Sequence, residues 1–239
     1  MYYGLLSLAA KVPSAGYDSD AQAFFTATGI TDTTQKSAVN QLVLDLKSYS
    51  IWTKMKALYP FVGGTSTTHS YNLINTAQYQ ITWYGGVTHD SNGITGNGTN
   101  GYGNTGLNPS TELTNYESAG IYVRTNVAEN KYDMGTIVIG SRGTWINSRT
   151  TGNQIDTIIM DGTNQYASSI TDSRGLTIAN RTSTTAKQIY KNTTQYSATN
   201  LQGGYSTYNY HILACSFNNT PTGYTTRNLA LAYIGNSLS

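Results

Sequence analysis

Side chains suited to acid–base chemistry are few in this sequence. Its glutamates are Glu112, Glu117 and Glu129. A glycosidase needs two carboxyl groups about 5 to 9.5 Å apart, and same-face neighbours on a strand lie about 6.6 Å apart. No Glu-x-Asp or Glu-x-Glu pair occurs, and Glu129 and Asp133 would lie about 13 Å apart on an extended strand. The sequence therefore favours a protein that is not an enzyme, with glycoside hydrolysis as a remote alternative through pairing of distant strands.

Nucleophilic and metal-assisted chemistry find little support. The single cysteine, Cys215, lies in an apolar run, and His211 is four residues away, about 13 Å along a strand. Free cysteines are usually buried, so we predict a buried thiol. A Gly-x-Ser-x-Gly elbow is absent, and no Cys/His spacing matches a zinc site.

Sugar binding has better candidates, because it uses aromatic platforms beside amides and carboxylates. One group lies at a predicted strand end and in the segment that follows it: Trp83, Tyr84, Asp90, Asn92 and Tyr102. Trp145, beside Arg142 and Asn147, is a second candidate. The alternative is that Trp83 and Trp145 fill the core of a β-sandwich. The segment from residue 85 to residue 109 is rich in glycine and asparagine, and we predict either a binding loop or a plain crossover.

Calcium is the one cofactor with candidate ligands. Asp90 and Asn92 would place two side-chain oxygens on one turn. Aspartate and asparagine also occur in turns for their geometry alone. We therefore expect no cofactor, with calcium left as an alternative.

The composition is polar but nearly uncharged. Of 239 residues, 11% are charged, against about 25% in a typical soluble protein. The net charge is +2, there are 20 tyrosines, and no basic run is present, which argues against nucleic acid as a partner. The apolar residues between Leu5 and Ala10 are too short a stretch to span a membrane, and without a basic flank they do not resemble a signal peptide.

The first quarter of the chain predicts helices. Residues 18 to 59 combine a capping-box pattern at Ser19, a stop at Gly29, a second start at Thr31–Asp32 and an end at Pro60. An apolar face with helical spacing, continued by an aromatic residue in a short further turn, is the candidate assembly element: Val39, Leu42, Val43, Leu46 and Trp52.

After Gly63–Gly64 the pattern changes to short runs rich in Ile, Val, Tyr and Thr, with turns at Asp161–Gly162 and Lys191–Asn192. The predicted strands cover residues 79–84, 119–125, 131–140, 154–161, 175–179, 186–191, 208–217 and 228–234. Many short strands without intervening helices predict a mainly β protein: a two-sheet antiparallel jelly-roll sandwich with an N-terminal helical segment.

Several short motifs carry a resemblance to a known family. They are the run from Ile51 to Gly64, then Lys131–Gly135, Asn180–Ser183 and Ile189–Asn192, and the ending Ala232–Ser239. The sequence resembles the concanavalin A-like (laminin-G-like) domains of structural proteins of tailed bacteriophages, over roughly residues 18 to 239. The resemblance implies a jelly roll on the surface of a virion, in a capsid-decoration, head-fibre or tail-fibre protein.

Two hypotheses follow, and they are compatible. In the first, the protein is a virion surface structural protein, with residues 1–62 as an attachment or oligomerisation arm and residues 63–239 as a lectin-like sandwich. Its partners would be other virion proteins and copies of itself, most simply in a trimer. In the second, the sandwich is a carbohydrate-binding module for cell-surface glycans. Neither hypothesis requires a membrane span.

Overall fold

The computed structural model describes residues 16–238 and confirms the predicted fold class. It is a mainly β protein in which two antiparallel sheets form a sandwich, preceded by helices. The apolar residues between Leu5 and Ala10, and the last residue, Ser239, lie outside the described residues.

The first sheet, which we call sheet A, has eight strands within the described residues. They are β1 (Met55–Tyr59), β3 (Thr88–Asp90), β4 (Gly93–Thr95), β6 (Glu117–Val123), β11 (Gly175–Arg181), β12 (Ala186–Lys191), β13 (Thr194–Thr199) and β17 (Asn228–Asn236). The order is β13-β12-β11-β6-β17-β4-β3, and β1 pairs with the far end of β17.

The second sheet, sheet B, has nine strands in the same part of the chain. They are β2 (Thr82–Tyr84), β5 (Tyr102–Asn104), β7 (Met134–Val138), β8 (Arg142–Asn147), β9 (Ile155–Asp161), β10 (Gln165–Ala167), β14 (His211–Ile212), β15 (Cys215–Phe217) and β16 (Thr220–Thr222). The order is β10-β9-β8-β7-β14-β5-β2, with the β15–β16 hairpin attached to β7.

Four α-helices accompany the described sheets: α1 (Ser19–Thr28), α2 (Thr33–Ser48), α3 (Ser66–Ser70) and α4 (Pro109–Glu112). The predicted stop at Gly29 is confirmed, since this residue ends α1 in the left-handed conformation at φ 68°. Asp32 caps α2 as predicted. Asp18, not Ser19, caps α1. Within the described range, no helix is long and apolar enough to cross a membrane.

The prediction of helix over residues 51–59 is wrong. After a 3-10 turn at Trp52–Lys54 the chain becomes β1, which pairs with β17. A short apolar run does not distinguish a buried strand from a helix by its periodicity. Here a free edge of β17 decides between them. β1 lies before the predicted boundary at residue 62, and the division into two domains stays a prediction.

Two further expectations about chain conformation are corrected. The segment from 85 to 109 is not one long loop, because β3, β4 and β5 lie within it and α4 begins at its end. The predicted strand 208–217 is divided into β14 and β15, because Leu213 adopts the left-handed conformation at φ 66° and interrupts the ladder.

The main core fills the space between the sheets. Buried aliphatic residues from both inner faces meet there, among them Ile121 and Ile234 of sheet A and Met134, Ile146 and Ile159 of sheet B. A second core lies between the helices and the outer face of sheet A, where Phe24, Val43 and Leu58 pack with Tyr233. The order of layers is therefore helices, sheet A, sheet B. Neither of these two cores covers the outer face of sheet B.

The main core also contains a carboxyl group. Glu117 is fully buried, accepts a hydrogen bond from the Tyr210 hydroxyl and accepts another from Thr144 Oγ1 at 3.0 Å. Burial raises the pKa of Glu117 from 4.5 to about 7, although both hydrogen bonds and the charge of Arg181 oppose the rise.

This environment predicts a pH-dependent stability. Because the folded-state pKa lies above the unfolded value, the contribution of Glu117 is greatest below pH 4.5 and is lost as the pH rises to about 7. Between these pH values, the free energy of unfolding of the wild type should fall by on the order of 3 kcal/mol relative to that of Glu117→Gln. Urea unfolding from pH 4 to 8 measures the difference. Tyr210→Phe removes a bond to the carboxylate and should steepen the loss, and parallel profiles for all three proteins would contradict the assignment.

Candidate functional site

A polar cleft of about 370 Å³ lies on the outer face of sheet B. Its lining combines two tyrosines with amides, hydroxyls and one carboxyl group: Asn130, Tyr132, Asn147, Thr150, Thr151, Gly152, Gln154, Asp156 and Tyr166. Its volume falls within the range of small-molecule sites. We call it the polar cleft.

The floor of the polar cleft comes from three neighbouring strands. Asn147 of β8 pairs with Asp156 of β9, which pairs with Tyr166 of β10. Since side chains alternate between the faces of a strand, directly paired residues share a face. Ile146 and Ile159 meanwhile point into the main core. The walls come from the loops before β7 and between β8 and β9, which contain Asn130 and Thr150–Gly152.

An aromatic cluster supports one side of the polar cleft. The ring of Tyr132 lies 5.1 Å from that of Trp145 and 5.3 Å from that of Phe217, and Trp145 and Phe217 are 5.8 Å apart, nearly perpendicular. Such edge-to-face contacts hold rings in fixed orientations. Tyr166 on the other side is 52% exposed. The cleft therefore has a fixed ring and an accessible ring on opposite sides.

Asp156 is the carboxyl group of the polar cleft. Partial burial raises its pKa to about 6, opposed by a hydrogen bond from Asn164 and by the nearby Trp145 indole. The Trp145 N–H is buried and has no hydrogen bond of good geometry. Asn164 Nδ2 donates to Asp156 Oδ1 at 2.9 Å and to the Tyr166 hydroxyl at 3.0 Å. Asn164 thus positions both the acceptor and the exposed ring.

A buried arginine ties the walls of the polar cleft to sheet A. Arg227, fully buried just before β17, donates to Asp133 at 2.9 and 3.1 Å and to Asn147 Oδ1 at 3.2 Å. It also donates to the backbone carbonyl groups of Val127, Glu129 and Arg149. These acceptors belong to the loops that bear Asn130 and Thr150. One guanidinium group therefore holds both walls.

The residues that the sequence predicted for sugar binding lie in different parts of the structure. Trp145 belongs to the aromatic cluster behind the polar cleft and is only 9% exposed, so its indole supports Tyr132 instead of forming an open platform. Trp83 packs against His89 at 4.7 Å and Phe61 at 6.2 Å, and its N–H donates to the Ser66 carbonyl at 2.9 Å. That tryptophan therefore links sheet B to α3.

Tyr84 and Tyr102 do lie together at the surface. Their rings stack 4.9 Å apart at an angle of 12°, and Tyr84 is 45% exposed. Asp90 and Asn92 lie elsewhere. Asp90 ends β3, and its Oδ1 accepts a hydrogen bond at 2.7 Å from the N–H of Asn92 in the turn that follows. A hydrogen bond of this kind stabilises a turn, which is the role predicted from the sequence as the alternative to calcium binding. Within residues 16–238, no three His, Cys, Asp or Glu side chains come close enough to hold a metal ion.

All five candidate assembly residues contact the helical core, and two of them also line a groove. Val39 and Val43 are buried in the helical core, and Trp52 packs against the same core. Leu42 and Leu46 face an apolar groove of about 500 Å³ between α2 and the outer face of sheet A, which Leu231 and Leu238 also line. Their part in assembly stays a prediction.

Sequence reasoning missed Tyr132, Tyr166, Asn130 and Gln154 as members of one site. A signal was present at the start of β9, where Gln154, just before the strand, and Asp156 flank the apolar Ile155 and so place polar groups on one face. The pairing of β8, β9 and β10 is what brings that face beside the tyrosines.

Comparison with known proteins supports the fold. No protein-family model and no curated protein matches the chain. Among solved structures, domain 4 of an extracellular arabinanase of glycoside hydrolase family 43 from Geobacillus stearothermophilus, in complex with arabinotriose, is similar with a TM-score of 0.51. The identity is 13%, and the similarity covers 78% of this chain and 94% of that one. At this identity the likeness establishes a shared β-sandwich fold.

The Arg227 network predicts a large stability effect. Arg227→Met leaves the Asp133 carboxylate buried without its cation, and we expect a loss of about 3–5 kcal/mol in the free energy of unfolding. Urea denaturation measures it. Arg174→Met is the matched control, because Arg174 pairs with Asp172 at 2.7 Å on an exposed surface, where water screens the interaction. Equal losses in the two variants would contradict the role of Arg227.

Proposed function

We propose that this protein binds carbohydrate at the polar cleft and does not cleave it. The observation that carries the proposal is that Tyr132 and Tyr166 flank a set of amide, hydroxyl and carboxyl groups within one cleft. Sugars present apolar C–H faces, which pack on aromatic rings, and hydroxyl groups, which need both donors and acceptors. The similar arabinanase domain was solved with arabinotriose, which adds a precedent for a sugar ligand on this fold.

Binding without hydrolysis is supported by the acid–base groups of the cleft. Of the residues that line it, only Asp156 has a carboxyl group. Both mechanisms of glycoside hydrolysis require two. A single carboxylate is suited instead to accepting hydrogen bonds from sugar hydroxyls.

Loss of the Asp156 charge should weaken binding. An ionised acceptor contributes roughly 1.5–3 kcal/mol to a hydrogen bond, so Asp156→Asn should raise the Kd about 10- to 100-fold. In the wild type, affinity should fall as the pH drops through about 6, where Asp156 becomes protonated, and this dependence should vanish in the variant. Isothermal titration calorimetry against ligands found on a glycan array measures both.

Matched variants make this test specific. Tyr166→Ala should also weaken binding, whereas Tyr49→Ala should not, because Tyr49 is a 75% exposed tyrosine on the helical side of the molecule. Asp172→Asn controls for charge at the surface. An unchanged affinity in both Asp156→Asn and Tyr166→Ala would contradict the assignment of the site.

We further infer that the protein is displayed on a bacteriophage virion, as a decoration, head-fibre or tail-fibre protein, and that it is a homotrimer. This setting is supported by the sequence resemblance alone. Of the predicted assembly residues, Leu42, Leu46 and Trp52 are partly exposed, and Leu42 and Leu46 line the groove beside α2. This placement leaves them free to contact another copy of the chain.

The trimer has a direct test. Light scattering after size exclusion should give three times the chain mass for the wild type and the monomer mass for Leu42→Ser/Leu46→Ser. Leu44→Ser is the control, since Leu44 is a 42% exposed leucine of the same helix and does not line the groove. Circular dichroism verifies that each variant is folded. A monomeric wild type would contradict self-assembly.

A further inference from the structure

The polar cleft and the stacked tyrosines lie on the same face of sheet B. Tyr84 pairs with Tyr102 at the β2–β5 edge, and Asp156 pairs with Tyr166 at the β9–β10 edge. Between them the ladder aligns Asn104, His211, Gly135 and Trp145 directly across four strands. A second line crosses the same strands two residues away from the first. It has Tyr102 at one end and Asn147 and Asp156 at the other. The stacked tyrosines and the polar cleft therefore lie on one line across the sheet.

Two further tyrosines bridge the middle of this line. Tyr224 lies 6.2 Å from Tyr102, ring centre to ring centre. Tyr132 and Tyr224 form a backbone bridge, and the Tyr132 N–H donates to the Gly223 carbonyl at 2.8 Å. Gly223, at φ 66°, lies against the Tyr132 ring, so a side chain there would collide with it. We call the resulting line of rings the tyrosine row: Tyr84, Tyr102, Tyr224, Tyr132 and Tyr166.

The dimensions of the tyrosine row exceed those of a single sugar. From β2 to β10 it crosses six interstrand steps of about 4.8 Å, which makes about 29 Å. The polar cleft occupies only the β8–β10 end. At the other end, the Tyr102 ring lies between Tyr84 and His211, and the 45% exposed Tyr84 ring provides an apolar contact surface. Such a contact does not depend on which hydroxyl groups a sugar presents.

The charge of the residues that line the polar cleft indicates which class of sugar it suits. Asp156 is the only charged side chain among the residues that line the polar cleft. A carboxylate repels uronic or sialic acid groups brought next to it. The cleft is consequently suited to neutral sugars.

We propose that the ligand is a neutral linear oligosaccharide that lies across the strands of sheet B, with one end in the polar cleft and its chain extended over the tyrosine row to Tyr84 and Tyr102. This inference rests on the proposed function, since it extends the same site. Affinity should accordingly increase with the length of the oligosaccharide until the chain reaches the β2–β5 edge.

The test uses calorimetry with length series of neutral oligosaccharides, derived from arabinan, xylan, mannan and cellulose, and with oligogalacturonates as acidic probes. Tyr84→Ala/Tyr102→Ala should weaken binding of a hexasaccharide about tenfold, equivalent to about 1.4 kcal/mol, and affect a disaccharide far less. Tyr84→Phe/Tyr102→Phe should retain most of the affinity, because it keeps the rings. Tyr49→Ala should bind as the wild type does.

The outcomes separate this inference from the proposed function. Binding that depends on Asp156 but not on ligand length, or not on Tyr84 and Tyr102, would overturn the extended site and leave the cleft assignment in place. Preference for oligogalacturonates would overturn the neutral ligand class. Failure of every series, and of every glycan on the array, to bind would overturn both the proposed function and its extension.

Discussion

The hydrogen bonds of the Arg227 guanidinium are the constraint on which the outer face of sheet B depends. Burying a charge in a protein is costly, and a buried ion pair adds little stability over a well-packed apolar pair of the same shape. What an arginine offers is a rigid fork of five donors. Here the fork meets Asp133, Asn147 and three backbone carbonyl groups from two loops. These hydrogen bonds join the two loops to each other and to the start of β17, so the guanidinium fixes their shape and with it the polar cleft.

A second group of buried charged side chains joins the two sheets. Arg181 and Lys187 of sheet A both donate to Asp161 of sheet B, and all three side chains are at most 2% exposed. Together with the Arg227–Asp133 pair, they place several of the chain's few charges inside the fold. These buried charges join the two sheets, while other charged groups, such as the Arg174–Asp172 pair, stay exposed.

The layer order explains where a site can form. The inner faces of both sheets are occupied by the main core, and the helices cover part of the outer face of sheet A. The outer face of sheet B contains a small apolar cluster, built around Trp145 and Ile158. Tyr132 packs against this cluster. The neighbouring residues Asn147 and Asp156 are polar. The polar side chains of the cleft therefore lie next to a packed aromatic cluster.

The sequence by itself determined the class of fold, both principal helices and the positions of most long strands, because alternation, helical spacing and turn residues are local properties. It identified Trp145, Asn147, Tyr84 and Tyr102 as chemically suited to sugar, but it did not show which of them are accessible or which lie together. The helix expected over residues 51–59 became β1 because an edge of β17, more than 170 residues later, offered backbone partners. The polar cleft likewise exists only through the pairing of β8, β9 and β10 and the reach of Arg227 from the start of β17. Only the tertiary structure decided these features, because each depends on contacts between distant parts of the chain, which local residue patterns do not encode.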